Sequence, residues 1–171
     1  LKGEPIETIY LGGGTPSQLA KEDFEAIFSH IYKVYKVTPN AEITLEANPD
    51  DLTSEYISML RTFPFNRISM GIQTFQETTL KQLQRRHTAD QAIRAFQGCR
   101  TAGFQNISID LMYGLPGETL TSWKKDLKQA LSLHPEHISA YHLIYEEGTP
   151  LWKLREQHKV EEADEDLSVS L

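Results

Sequence analysis

Short apolar strands and longer helical segments alternate along this chain, and that alternation restricts its fold more than any other feature. The pattern predicts strands over 7–11, 42–47, 67–72, 106–112 and 137–143. Apolar residues at helical spacing predict helices over 21–37, 77–83, 89–102 and 121–133, and another that begins at Thr53. Strands separated by helices of this length form a parallel sheet with helical crossovers. We therefore expect residues 1–171 to form a single α/β domain.

The two faces of the predicted strands distinguish in part between a doubly wound open sheet and a barrel. Strand 67–72 and the residue after it place aliphatic side chains on one face and small or polar ones on the other, namely Ile68, Met70 and Ile72 against Ser69, Gly71 and Gln73. An open sheet covered by helices on both sides would be apolar on both faces, whereas a barrel interior tolerates a polar face. We therefore expect an incomplete parallel β/α barrel of about five units, because five strands do not close a barrel.

Composition excludes several classes of function. The net charge is −7 and there is no run of Lys or Arg, so the chain lacks the basic surface on which non-specific nucleic-acid binding depends. No apolar stretch approaches the roughly 20 residues that span a bilayer. The one cysteine, Cys99, excludes an internal disulfide and a multi-cysteine metal site, fits a reducing cytoplasm and is expected to pack in a helix. Gly148-Thr149-Pro150 predicts a break, and the charged segment 156–166 a solvated helix or a loose tail.

Glycine or polar residues stand at the carboxyl ends of four successive predicted strands: Gly12-Gly13-Gly14-Thr15-Pro16, Glu46, Gln73 and Asp110. Barrel enzymes place their chemistry at this edge, and glycine lets a ligand approach the backbone. Each position also has a structural interpretation: a tight turn for the glycines, a buried ion pair with an arginine for Glu46, a turn-capping amide for Gln73, and a helix cap for Asp110. The glycine spacing fits neither a dinucleotide fingerprint nor a P-loop.

Arg85 and Arg86, two adjacent cationic residues, also have both a structural and a functional interpretation. Adjacent arginines most often form a solvated face, but a guanidinium fork close to Glu46 would suit the carboxylate of a ligand. Tyr141 and His142, at the end of the fifth predicted strand, are placed to reach a cavity at this edge.

Four motifs together resemble the core of radical S-adenosylmethionine proteins related to oxygen-independent coproporphyrinogen III oxidase. They are YLGGGTP at 10–16, EANP at 46–49, RISMGIQTF at 67–75 and IDLMYGLPG at 109–117. The segment HISAY at 137–141, with GTP at 148–150, is similar to the haem-chaperone branch of this family. The resemblance follows the chain in unbroken order over nearly its whole length.

The resemblance implies a partial barrel that binds a 4Fe–4S cluster through a Cys-x-x-x-Cys-x-x-Cys loop and holds S-adenosylmethionine at the open iron. By position it assigns Gly13, Gly14 and Thr15 to the methionine amino group, Arg85 to the methionine carboxylate, Gln73 and Asp110 to the ribose hydroxyls, Glu46 to the methionine or ribose part, and Ile144 to the neighbourhood of the adenine. No residue is assigned to catalysis or to a metal.

This chain departs from the family pattern, because the cysteine loop is absent and Cys99 does not replace it. We therefore expect an internal part of a longer protein, lacking the cluster loop and a C-terminal region, inactive alone and weak in binding S-adenosylmethionine. The resemblance implies oxidative decarboxylation of coproporphyrinogen III. The alternatives are a cytoplasmic haem chaperone that delivers haem to an acceptor protein, and an unrelated barrel enzyme. Whether the protein is an enzyme stays open at this point.

Overall fold

Five parallel strands form a sheet whose order follows the chain, in a computed structural model that describes residues 3–163 and 165–170. The strands are β1 (Ile6–Leu11), β2 (Val37–Ala47), β3 (Arg67–Gln73), β4 (Asn106–Tyr113) and β5 (His137–His142). The helices are α1 (Lys21–Val34), α2 (Ser54–Leu60), α3 (Glu77–Gln82), α4 (Ala89–Thr101), α5 (Leu120–Ser132), α6 (Pro150–Glu156) and α7 (Glu165–Ser170).

The strand order confirms the predicted barrel architecture. Each strand pairs in parallel with the next along the chain, from β1 to β5. A doubly wound sheet would reverse direction partway, whereas every crossover here advances the sheet in the same direction. The result is a curled half-barrel with the carboxyl ends of all five strands at one edge.

The hydrophobic core lies between the aliphatic face of the sheet and the helices. Its strand residues are those that the alternation predicted, including Ile43, Leu45, Ile68, Met70, Ile107 and Ile109, each at most 4% exposed. Phe24 of α1 and Phe96 of α4 pack against them, and full burial of such a side chain contributes roughly 1.5–3 kcal/mol. Cys99 also lies in this core, and burial raises the pKa of its thiol to about 12. It is therefore an inert packing residue.

Threonine begins four of the helices and fixes where they start. The side chains of Thr53, Thr88, Thr119 and Thr149 each accept a hydrogen bond from a backbone N–H in the first turn of α2, α4, α5 and α6. Such a cap contributes typically about 1 kcal/mol. The segment Gly148-Thr149-Pro150, predicted as a break, lies where the loop after β5 ends and α6 begins. Of the charged segment 156–166, the described residues 157–163 are not helical, and α7 begins at Glu165.

Two further boundaries differ from the sequence prediction. β2 begins at Val37 rather than at residue 42, and α1 ends at Val34 rather than at 37. The backbone N–H of Ile6 donates to the carbonyl of Lys36, so pairing with β1 draws this segment into the sheet. Among the helices of residues 3–163 and 165–170, none is both long and apolar enough to cross a membrane.

Candidate functional site

A polar cavity of about 220 Å³ opens at the carboxyl edge of the half-barrel. Residues from the ends of β2, β3, β4 and β5 and from the loops that follow β1 and α3 line it: Gly14, Thr15, Pro16, Ser17, Glu46, Ala47, Asn48, Ser69, Gly71, Gln73, Arg85, Asp110 and Tyr141. The set brings together six of the positions that the sequence predicted as a site, namely Gly14, Thr15, Glu46, Gln73, Arg85 and Asp110.

The glycine turn holds the carboxylate of Glu46. Gly13 and Gly14 have φ angles of 78° and 56°, a left-handed conformation that favours glycine, and the N–H of Gly13 donates to Glu46 Oε2 over 2.9 Å. The hydroxyl of Tyr10 donates to Glu46 Oε1 over 2.6 Å. A Cβ on Gly12 would lie 2.8 Å from the carboxyl carbon of Glu46, so this residue also leaves room for the side chain. No arginine of residues 3–163 and 165–170 forms an ion pair with Glu46, so the interpretation of Glu46 as one half of such a pair is wrong.

Burial and the neighbouring carboxylate keep the Tyr10 phenol protonated. Burial, followed by the hydrogen bond to Glu46 and its negative charge, raises the pKa of Tyr10 to about 12. The phenol therefore remains a donor across the neutral range and leaves further lone pairs of Glu46 free to accept from a ligand.

Gln73 ends β3 in a conformation that is uncommon for its residue type. Its φ angle is 71°, and the pairing register of β3 with β4 shifts between Gly71 and Gln73. The side chain is 8% exposed, and its Oε1 accepts a hydrogen bond of 2.5 Å from the hydroxyl of Tyr141. The unusual backbone directs this amide over the cavity.

The fully buried carboxylate of Asp126, on α5, holds the turn that follows Gln73. It accepts hydrogen bonds from the Thr74 hydroxyl, from the Phe75 N–H over 3.2 Å and from the Gln76 side-chain amide over 3.0 Å. Sequence reasoning missed Asp126, because a single Asp within an amphipathic helix carries no signal of the turn that it reaches. It does not line the cavity, and it supports Gln73 through the turn that follows it.

Arg85 and Arg86 have different surroundings, so the prediction for adjacent arginines applies to only one of them. Arg86 forms ion pairs with Asp50 at 2.9 Å and Asp51 at 3.1 Å, and its side chain is 55% exposed. The half-buried Arg85 donates through Nη2 to Asn48 Oδ1 over 2.7 Å, and no carboxylate among the described residues pairs with it. Burial lowers the pKa of Arg85, because desolvation disfavours the charged guanidinium.

Asp110 faces the cavity from β4. Ser69 Oγ lies 3.1 Å from its Oδ2 and donates to it, and burial raises the pKa of the Asp110 carboxyl above its usual range. Gly71 on β3 is the register partner of Asp110 and leaves room for the side chains of Gln73 and Arg85. A Cβ at this position would lie 3.0 Å from Gln73 Nε2 and 3.7 Å from Arg85 Nη2. Glu46 and Asp110 are the carboxylates of the lining and Arg85 is its cation.

Three positions that the sequence singled out lie outside this lining. Gly13 acts through its backbone bond to Glu46 and faces an adjacent surface groove. Ile144 is 74% exposed and does not line the cavity. His142 does not reach the cavity either, because its Nε2 lies 3.0 Å from Ser168 Oγ on α7. Of the lining residues to which no role was assigned, Asn48 lies inside the motif EANP at 46–49 and Ser17 directly follows the motif at 10–16, so their places in the sequence could have indicated them.

The donor set of the cavity differs from that of a metal centre. The 3–163 and 165–170 segments contain no group of three or more His, Cys, Asp or Glu residues placed to hold a metal ion. The one cysteine, Cys99, is fully buried in the core, so the described residues offer no ligand set for a 4Fe–4S cluster. The cavity instead presents two carboxylates, a guanidinium, two side-chain amides and glycine backbone, so it can both donate hydrogen bonds to a polar organic ligand and accept them from it.

Comparison with known proteins identifies the family of this chain. The model of the radical SAM superfamily matches residues 1–130, and the chain belongs to that superfamily. Within it, the chain is similar to the protein named heme chaperone HemW: it is 39% identical to that of Bacillus subtilis (strain 168) over 92% of this chain and 42% of the relative. The HemW of Lactococcus lactis subsp. lactis (strain IL1403) is 42% identical over 85% of this chain and 38% of the relative.

A solved structure shares the architecture. It is that of the coproporphyrinogen III oxidase HemN from Escherichia coli, described as a radical SAM enzyme, and it superposes with a TM-score of 0.83 at 26% identity over 98% of this chain and 38% of that one. The chain thus spans about two fifths of the length of these relatives. Together they confirm the resemblance drawn from the four motifs. The relatives by sequence are named for the chaperone alternative rather than for the oxidase.

Proposed function

We propose that this chain carries the S-adenosylmethionine site of a radical SAM protein of the haem-chaperone kind. Arg85 is the observation that carries the proposal: a half-buried guanidinium lines the cavity without a carboxylate partner among the described residues. A buried cation needs a counter-charge, and a ligand carboxylate would supply it in the planar geometry that arginine prefers. Membership of the radical SAM superfamily supports the methionine carboxylate of S-adenosylmethionine as that partner.

Charge balance supports the same ligand. The two carboxylates of Glu46 and Asp110 and the guanidinium of Arg85 together give the lining a formal charge of −1. S-adenosylmethionine carries an ammonium, a sulfonium and a carboxylate, hence one net positive charge. Complementary charges favour both encounter and orientation. A nucleotide triphosphate, by contrast, would be repelled from this cavity.

Each group of the ligand has a candidate partner. Arg85 would hold the carboxylate, and Glu46 with the backbone of Gly13, Gly14 and Thr15 would hold the ammonium group. Asp110 and Gln73 would bond the ribose hydroxyls. The adenine would extend toward the end of β5, where Ile144 is exposed, and we propose that residue as an adenine contact.

The wider activity is also a proposal. The family implies a 4Fe–4S cluster as the group that supplies reductive cleavage of S-adenosylmethionine, and the residues described here supply no ligands for it. The similarity to heme chaperone HemW favours haem binding and transfer to an acceptor protein in the cytoplasm. Oxidation of coproporphyrinogen III is the second candidate, favoured by the superposition on HemN.

Loss of either proposed ribose partner should weaken binding of S-adenosylmethionine. In the complete gene product, Asp110→Ala and Gln73→Ala should each cost about 1–3 kcal/mol, the range for a lost buried or charged hydrogen bond, or roughly 5- to 150-fold in Kd. Anaerobic isothermal titration calorimetry measures the Kd directly.

Asp90→Ala is the matched control, because Asp90 is exposed on α4 and does not line the cavity. Circular dichroism melting curves verify that each variant is folded. Unchanged affinity in both Asp110→Ala and Gln73→Ala would contradict the ribose assignment, and a wild-type protein without affinity for S-adenosylmethionine would contradict the proposed function itself.

Affinity should also depend on pH through Asp110. Burial raises the pKa of this carboxyl, and only the ionised form accepts from both hydroxyls of a diol. Affinity is therefore complete above that pKa and falls as the pH decreases through it, starting at a higher pH than for an exposed aspartate. Titration calorimetry across a pH series should show this loss in the wild type and a flatter dependence in Asp110→Asn. Identical pH profiles would refute the assignment.

A further inference from the structure

The side-chain amide of Gln73 has two orientations of nearly equal shape, and they offer opposite hydrogen-bonding groups to the cavity. With Oε1 turned away, the NH2 group faces the ligand as a donor; with the amide rotated, the ligand meets an acceptor. Asp110 already supplies an acceptor at this edge, since its ionised carboxylate has only acceptor oxygens. The orientation of Gln73 therefore decides whether the subsite offers a donor beside that acceptor.

The immediate surroundings of Gln73 oppose the donor-inward orientation. A Cβ on Gly71 would lie 3.0 Å from Gln73 Nε2 and 3.7 Å from Arg85 Nη2, so the amide NH2 and the guanidinium NH2 border the same space above that glycine. The positive charge of the guanidinium favours the amide oxygen on this side, and rotation of the amide would bring the oxygen there. Another contact must hold the amide in the observed orientation.

The Tyr141 hydroxyl makes that contact from β5, by donating to Gln73 Oε1 over 2.5 Å. Burial first, and the negative charge of Asp110 second, raise the pKa of the Tyr141 phenol, so it stays protonated and remains a donor. The amide is almost fully buried, so its oxygen requires a donor, and in the observed orientation that donor is the Tyr141 hydroxyl. The bond joins strands β3 and β5 across β4.

We infer that Tyr141 is a positioning residue that orients the amide of Gln73 and thereby gives the diol subsite one donor and one acceptor. This inference rests on the proposed function, because the diol is that of S-adenosylmethionine. The inference adds a residue that acts through Gln73. It also predicts specificity, because Gln73 as donor and Asp110 as acceptor select a ligand whose adjacent hydroxyls both accept and donate hydrogen bonds.

Tyr141→Phe in the complete gene product tests the inference by removing only the hydroxyl. Titration calorimetry should show a Kd for S-adenosylmethionine raised about 3- to 10-fold, the loss of one hydrogen bond. In a Gln73→Ala background the same substitution should change the Kd less than about 2-fold, because the two residues act as one unit. Tyr113→Phe is the control, since Tyr113 ends the adjacent strand β4 on the face that packs against Trp123.

A second readout separates positioning from general loosening of the fold. The 2′-deoxy and 3′-deoxy analogues of S-adenosylmethionine should bind the wild type less tightly than the natural ligand, and Tyr141→Phe should reduce that discrimination for at least one of them. A structural defect would lower the affinity for all three ligands in parallel.

The outcomes distinguish the inference from the function on which it rests. The inference alone would be overturned if Tyr141→Phe left the Kd for S-adenosylmethionine unchanged. It would also be overturned if Tyr141→Phe raised the Kd by the same factor in the Gln73→Ala background as in the wild type. A wild-type protein that does not bind S-adenosylmethionine would overturn the proposed function and the inference together.

Discussion

Arg85→Ala should cause the largest loss of S-adenosylmethionine affinity among substitutions in the cavity, about 2–3 kcal/mol or roughly 30- to 150-fold in Kd. Its guanidinium is the cation of the lining, it has no carboxylate partner among the described residues, and burial already lowers its pKa. The ligand carboxylate would meet a pocket with two carboxylates and nothing to balance them. Titration calorimetry on the complete gene product measures the change.

Two further variants sharpen the experiment on Arg85. Arg85→Lys keeps the charge but loses the planar fork, so it should recover part of the affinity and not all of it. Arg94→Ala removes an exposed arginine from α4 outside the cavity and should leave the Kd unchanged. If Arg85→Ala binds like the wild type, the carboxylate of the ligand is held elsewhere, and the observation that carries the proposed function is lost.

Asp126→Ala should cause the largest loss of stability, about 3 kcal/mol, which corresponds to a decrease of roughly 6–12 °C in Tm for a chain of this size. The substitution leaves the Thr74 hydroxyl, the Phe75 N–H and the Gln76 amide without their buried acceptor. Differential scanning calorimetry gives the shift. Because the same turn sets the backbone of Gln73, the affinity for S-adenosylmethionine should fall as well.

Lys125→Ala is the matched control for Asp126, since it changes the neighbouring, exposed residue of the same helix α5 and should shift the Tm by no more than a degree or two. Asp126→Asn keeps one acceptor oxygen and should lose about half as much stability as Asp126→Ala. A Tm for Asp126→Ala within the range of the Lys125→Ala control would show that the buried carboxylate contributes nothing net to the fold.

Much of the fold could be predicted because its determinants are local in sequence. Alternation of side chains along a strand records which face is buried, so the sequence alone indicates that Ile68 and Met70 lie on the core face and Ser69 on the opposite face. Capping threonines such as Thr53 signal where a helix starts. Boundaries set by pairing with a distant segment carry no such signal, which is why the early start of β2 at Val37 was not predicted.

The candidate site was predictable to the same extent and for the same reason. Glu46, Gln73 and Asp110 stand at strand ends, and the topology of a parallel sheet brings strand ends together. The difference between Arg85 and Arg86 could not be predicted, because it depends on where Asp50 and Asp51 lie in space. The roles of Asp126 and Tyr141 depend on contacts across 52 and 68 positions of the chain, which no local pattern records.

Those two long-range contacts have a consequence for the order in which the protein acquires its site. The backbone of Gln73 is supported from α5 and its amide from β5, so the end of β3 reaches its binding geometry only after the chain has folded as far as Tyr141. Contacts between residues far apart in the sequence form late, because the chain loses the conformational entropy of the loop before it gains the energy of the contact. During synthesis the cavity is therefore completed only when β5 joins the sheet, and a ligand bound there stabilises the half-barrel with all five strands rather than an earlier intermediate.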